Sequence, residues 1–261
     1  MIGSLPGRQF DSELDLSVCN AENNANLTLF LRIHLQRVDP PGGTGTMADA
    51  GGTSRRISAW PEREWTAFRR RYQTQCQDFW TGRFWLVTPD SFTEMDWAAQ
   101  NPTHRPNVFC RLRVSIVDSP TGAHHSIRCV HLANTETFFR SHAGLFDSRD
   151  LESVDYGNGQ HQRTHVHELG HLLGLGHASQ HRPECFTGDT NAPVCYGFNG
   201  VESGDIMGFG EHRSEWHASP WRGAISRHTG IDESAWPVSL VRVFPRRLTN
   251  LAHYRLGHAR A

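Results

Sequence analysis

Leu27, Leu29, Leu31, Ile33 and Leu35 alternate with mostly polar neighbours, a period of two that predicts a strand with one buried face. The period changes after Pro61. Trp65, Phe68, Tyr72, Cys76 and Phe79 recur at spacings of three and four, which predicts a helix running to about Trp80 with one apolar stripe. Three further strands are expected over Arg83–Val87, Val108–Val117 and Ser126–Leu132, the second with Val108, Cys110, Leu112, Val114 and Ile116 on one side. Between the first strand and the first helix, the Pro/Gly-rich stretch from Asp39 to Gly45 and the Gly51-Gly52-Thr53-Ser54 run read as a flexible loop.

Residues 133–160 are polar and rich in Asp, Ser and Gly, and read as irregular. A second helix is expected from His161 or Gln162, carrying Val166, Leu169, Leu172 and Leu173 and stopping at Gly174. One more helix is bounded by Ser219 as N-cap, Pro220 in the first turn and Gly230 just past the end, and Pro237–Phe244 suggests a short extended piece. The order strand, helix, several strands, helix predicts an α+β fold, an α/β sandwich with a mixed sheet. At 261 residues, 1–261 fits one domain, which a deep cleft can divide into two unequal lobes.

Composition narrows the function classes. Hydrophobic residues make up 37% of the chain, enough for a core, and the formal net charge of -1 gives no electrostatic case for nucleic acid or an anionic membrane. No apolar run is long enough to span a bilayer. The N-terminus lacks a basic region followed by an apolar one and does not read as a Sec signal peptide, which leaves three readings: a mature form, a protein that stays inside, or export by a route without a cleaved Sec leader. Six cysteines contain no Cys-x-x-Cys pair, which argues against a Cys-rich zinc ribbon. Cys185 and Cys195 bracket a turn-rich loop that suits a local disulfide, the alternative being buried or free thiols.

There are 17 histidines, and spacing singles out three of them. In His167-Glu168-Leu169-Gly170-His171-Leu172-Leu173-Gly174-Leu175-Gly176-His177, the i, i+4 relation places His167 and His171 on one helix face. Gly174 can take positive φ and end the helix, so that His177 swings back as a third ligand. Glu168 projects beside them, where it can act as general base without binding metal. His165 is turned to the opposite side and is expected at the surface or in a supporting position. His161, His181, His212 and His217 have no ligand spacing with a partner.

These residues, with Asp205-Ile206-Met207-Gly208-Phe209 thirty positions beyond His177, resemble the metzincin zinc peptidases, whose signature is His-Glu-x-x-His-x-x-Gly-x-x-His followed by a Met-turn. The motif resemblance covers about 164–179 and 203–210, and its core looks most like matrixins or pappalysins without fixing a subfamily. It implies an upper lobe (about 1–176) with a mixed, mostly parallel sheet and two helices. It also implies a smaller irregular lower lobe (about 177–261) with a C-terminal helix. It further implies one catalytic Zn2+ on His167, His171 and His177, Met207 as a floor beneath the imidazoles, and Glu168 as the base of a metal-activated water. The substrate would be a peptide or protein, paired with an exposed strand edge for which Ser126–Leu132 is the candidate.

The resemblance has departures. Ala178 and Ser179 follow the third histidine, unlike the acidic residue of astacins and adamalysins or the proline of serralysins. Phe209 stands where astacins and serralysins carry a tyrosine, which argues against a tyrosine-assisted mechanism. Cys19 is a candidate for a thiol that blocks the metal, ordinary burial being the alternative. Asp155, Gly157, Asn158 and Gly159 offer a calcium loop of the kind some metzincins carry, though a plain turn fits better because repeated carboxylates are missing. The alternative to a peptidase is a metal-binding structural or cargo component of a secretion or assembly system without proteolytic activity.

Overall fold

The computed structural model describes residues 2–16, 25–92, 94, 107–134, 138–157, 159–185, 191–197 and 199–241. Cys19, Asn158 and the end of the expected 237–244 extension lie outside the described residues. In chain order the elements begin with strands β1 (Ile2–Leu5), β2 (Asp11–Asp15), β3 (Ala25–Val38), β4 (Thr44–Ala48) and β5 (Ser54–Ser58). Helix α1 (Glu62–Trp80) precedes β6 (Trp85–Val87), β7 (Asn107–Val117), β8 (His125–Leu132), β9 (Leu145–Asp147), β10 (Ser153–Gly157) and β11 (Gln160–Arg163). Helices α2 (Thr164–Leu172), α3 (Pro193–Tyr196), α4 (Gly200–Ser203) and α5 (Ser219–Thr229) follow, then β12 (Val238–Ser239). No described helix is long and apolar enough to cross a membrane.

The content is mixed α+β with a large mixed sheet, and the strongly periodic segments fold as their patterns require. The expected mostly parallel sheet needs correction. Among the described pairings β3/β8 and β8/β9 are parallel. By contrast β1/β2, β2/β3, β4/β5, β5/β8, β6/β7 and β12/β6 are antiparallel. Short links explain part of this, because a hairpin turn can only return the chain antiparallel. The supposed flexible loop is one such hairpin. β4 and β5 pair from Thr44↔Ser58 to Ala48↔Ser54, and Gly52 supplies the positive φ (79°) of the turn between them.

The chain divides into two compact units that alternate along the sequence. One comprises residues 1–30, 80–113 and 214–261. In it Asp11↔Phe30 to Asp15↔Asn26 register β2 on β3, and Trp85↔Phe109 registers β6 on β7. Its core is aromatic. Trp80, Phe84, Trp221 and Trp236 are fully buried, the Trp221 ring nitrogen donates to the Arg111 carbonyl (3.0 Å), and Ser12 meets His228 of α5 (3.0 Å). Helix α5 ends at Gly230 in the left-handed conformation (φ 71°), as expected. Ser219 is its first helical residue and not its N-cap, since a 3-10 turn over Glu215–Ala218 runs directly into it.

The other unit comprises residues 31–79 and 114–213 and holds every residue of the histidine motif. β8 is paired on both sides, with Ile33–Val38 of β3, with Ile57 and Ser58 of β5, and with Leu145–Asp147 of β9. It is therefore not the open edge expected for substrate. β9 covers it, and β9 belongs to the stretch whose polarity hid its short buried strand (Leu145, Phe146 and Asp147 all buried). α1 buries Trp65, Phe68, Tyr72, Cys76 and Phe79, and Tyr72 packs on Phe146 of β9 and on His165 of α2. The helix expected from His161 or Gln162 starts at Thr164, because residues 160–163 pair with 153–157 as the β10/β11 hairpin.

Candidate metal centre

Helix α2 is buried on almost all sides, at His165, Val166, His167, Glu168, Leu169, Gly170 and Leu172. Its end is built as the glycine spacing requires. Gly174 adopts φ 96°, its N–H bonds the His171 carbonyl (2.9 Å), and the Leu175 N–H bonds the Gly170 carbonyl (3.0 Å). That pair of bonds closes a Schellman motif and turns the chain back. His177 then meets the face of α2 that carries His167 and His171. The turn is held by His177 N–H on Gln180 (3.1 Å), Ala178 N–H on the Met207 carbonyl (2.9 Å) and Ser179 N–H on the Cys195 carbonyl (2.9 Å). Glu202 anchors it from outside, accepting from Ser179 Oγ (2.6 Å) and Arg182 Nε (2.7 Å).

The three imidazoles converge. His171 Nε2 lies 3.2 Å from His167 Nε2 and 3.1 Å from His177 Nε2. His167 Nδ1 sits 2.7 Å from the Ile206 carbonyl and His171 Nδ1 2.8 Å from the Leu175 carbonyl. A carbonyl only accepts, so both rings carry their proton on Nδ1 and turn a lone pair inward at Nε2. Burial, and for His167 the neighbouring His171, holds these rings below the usual histidine pKa, in the neutral form that ligates metal. Lone pairs facing one another at this distance are unfavourable unless a cation lies between them. Their spacing is close to the roughly 3.3 Å edge of a tetrahedron with Zn–N bonds of about 2.0–2.1 Å. Among the described residues this is the one cluster of His, Cys, Asp or Glu side chains suited to hold a metal ion.

Glu168 is buried, and burial pushes its carboxyl up to about 8 against the opposing pull of the Ala143 backbone N–H. A cavity of about 940 Å³ opens over it, lined by His171, His177, Gln180, His142 and Ala143 among others. A second, of about 580 Å³, runs past His167 towards Phe209 and Tyr156.

Met207 is fully buried in a turn whose form is fixed by Asp205, which accepts from the N–H groups of Met207 (2.8 Å) and Gly208 (2.8 Å). The carbonyls of Ile206 and Met207 tie this turn to the histidine segments, Ile206 to His167 and Met207 to Ala178 beside His177. His165 is not at the surface. It is fully buried, its Nδ1 lies 2.9 Å from the Asp150 carbonyl, and burial pushes its pKa down to about 3. His161, His181, His212 and His217 do not join the cluster, and His217 packs against Trp80 in the other unit. Asp155 belongs to β10, and Gly159 (φ 74°) turns the chain into β11. Cys185 and Cys195 form a disulfide.

Two residues of the site were invisible in the motif. Gln162 is buried, and its side-chain amide donates to the carbonyls of Gly208 (2.8 Å), Ile206 (3.1 Å) and Gly210 (3.3 Å), so it fastens the Met207 turn to the start of α2. Tyr196 lies with its ring centroid 3.9 Å from that of His177 and stacks on Phe209 at 4.9 Å. Only its position next to Cys195, together with the pairing of Cys195 to Cys185, hinted that it returns to the histidine turn. No family model, no curated protein and no solved structure matches this chain.

Proposed function

We propose that the chain is a zinc-dependent endopeptidase of the metzincin type. The observation that carries the reading is the convergence of three imidazoles, the Nε2 of His171 lying 3.2 Å from that of His167 and 3.1 Å from that of His177, beside a buried carboxyl that opens on a cleft. His167, His171 and His177 would hold the ion, a donor set of three nitrogens that leaves a position open, as in catalytic zinc sites. Zinc supplies a Lewis acid there, able to bring the pKa of a water towards neutrality.

The chain's own residues do the rest. Glu168 takes the proton of the attacking water and passes it to the leaving nitrogen, which requires a group within reach of both and shielded from bulk solvent. The Ile206 and Leu175 carbonyls keep His167 and His171 in the ligating tautomer. The cavity of about 940 Å³ stands at the upper end of the roughly 300–1,000 Å³ range of ligand sites, room for several residues of an extended peptide. Chelation tests the reading. Cleavage of an unstructured protein should stop with a zinc chelator and return on adding zinc; cleavage that survives full removal of metal overturns it.

A further inference from the structure

Residues 140–143 line the larger cavity, together with Gln180 from the turn after His177. Exposure alternates along them. Ser141 and Ala143 are half-buried, Ser141 Oγ donating to Asp150 (2.6 Å) and the Ala143 N–H to Glu168. Arg140 and His142 are exposed, and Arg140 lines the second cavity as well.

The polar atoms left over on these side chains are of one kind. The Gly144 N–H donates to His142 Nδ1 (3.0 Å), so the neutral ring carries its own proton on Nε2. Partial burial, and then Arg128, hold that ring below the usual histidine pKa. The His177 N–H donates to Gln180 Oε1 (3.1 Å), which leaves the Gln180 amide nitrogen as a donor. A guanidinium only donates. Asp49, the carboxylate beside the Arg140 backbone, already accepts from the N–H groups of Gly51 (2.9 Å) and Thr53 (3.0 Å) and from Arg55 Nε (3.0 Å). Among the described residues no acid pairs with Arg140, and His142 Nε2 and the Gln180 amide nitrogen have no partner. Arg140 is also the one Arg or Lys in the described lining of this cavity, and Glu168 its one acid.

A lining that offers donors and one unpaired cation calls for an acceptor that carries negative charge. We propose that the larger cavity contains a carboxylate-binding subsite, in which Arg140 receives a carboxylate of the bound peptide with His142 and Gln180 as further donors; that this peptide is a substrate rests on the peptidase reading above. The carboxylate is an Asp or Glu side chain or the end of the peptide chain. A guanidinium meets either with two parallel N–H···O bonds, whereas an amide at the same place brings no charge and a cationic side chain is repelled.

Cleavage sites in an unstructured protein, mapped by mass spectrometry with zinc-loaded wild type, should have a carboxylate at one fixed distance from the cut. A peptide from such a site is then compared with two counterparts, one with the acidic side chain replaced by its amide and one with an amidated C-terminus. The change that removes the bound carboxylate should lower kcat/KM about tenfold, which identifies its source. Arg140→Gln, at an exposed position, should lose the same factor towards the acidic peptide and no longer distinguish it from the amide. Calorimetric binding of the same peptides to the Glu168→Gln protein, which needs no turnover, should show the same ratio. Cleavage without preference for a carboxylate, or a preference that survives Arg140→Gln, overturns the proposal and leaves the peptidase reading standing. If zinc-loaded wild type cleaves nothing, the peptidase reading itself fails and this proposal falls with it.

Discussion

His167 and Ile206 are joined by a 2.7 Å hydrogen bond from the ring Nδ1 to the carbonyl oxygen, although 39 residues separate them. That contact fixes the tautomer of His167 from the turn that contains Met207. It explains why a methionine turn and a histidine helix belong to one device: the turn supplies acceptors, not ligands. The same turn accepts the Ala178 N–H beside His177, so two of the three imidazoles depend on its shape.

Gln162 holds that turn in place, and its loss should be felt at the metal. Gln162→Leu removes the donor shared by the Ile206, Gly208 and Gly210 carbonyls. Zinc affinity should fall about tenfold, in the range of supporting-residue mutations at metal sites. Global stability should fall by about 1–3 kcal/mol from unsatisfied buried carbonyls. Competitive zinc titration and denaturant unfolding read the two effects, and unchanged zinc affinity would show that the turn holds its form without Gln162.

Gly174 carries the reversal that brings His177 back. At φ 96° a side chain is strained, so Gly174→Ala should cost about 1–2 kcal/mol in urea unfolding. Zinc binding should weaken with it, because relief of the strain moves Leu175 and His177 together. A variant as stable as wild type with full zinc affinity would contradict this reading of the turn.

These two cases show what the sequence made legible. The histidine cluster and Gly174 are local: helix period and one left-handed glycine place all three histidines within eleven consecutive residues. The Cys185–Cys195 pairing was local as well. Gln162 and Tyr196 were not, since each acts on partners that only tertiary packing brings near, and neither sits at a spacing a period can reveal. β9 was lost because three buried residues within a polar stretch make no pattern, and with it went the true neighbours of β8. β4 and β5 were lost because all their residues but Ile57 are exposed or half-buried, so a Gly-rich hairpin resembled a loop.

A buried acid near the site gives the fold a pH dependence. Asp150 accepts from Ser141 Oγ (2.6 Å) and the Asp147 N–H (2.7 Å), yet burial, and then Asp147 beside it, raise its carboxyl well above the usual range. The folded state therefore binds a proton that the unfolded chain releases at about pH 3.9. The stability this proton contributes is complete below that pH and is lost as pH rises through the raised folded value. Asp150→Asn keeps an acceptor oxygen and removes the titration. Its melting temperature relative to wild type should rise from pH 4 to pH 8 (roughly the span above the unfolded value); a constant difference would show that Asp150 is ionised in the fold.

The most direct test is zinc content measured alongside cleavage of an unstructured protein, for wild type and Glu168→Gln together. One zinc per chain in both, with cleavage only by wild type, is the expected result, because Glu168 moves protons and does not bind the ion. Absence of zinc after loading, or equal cleavage by the Glu168→Gln variant, would contradict the account.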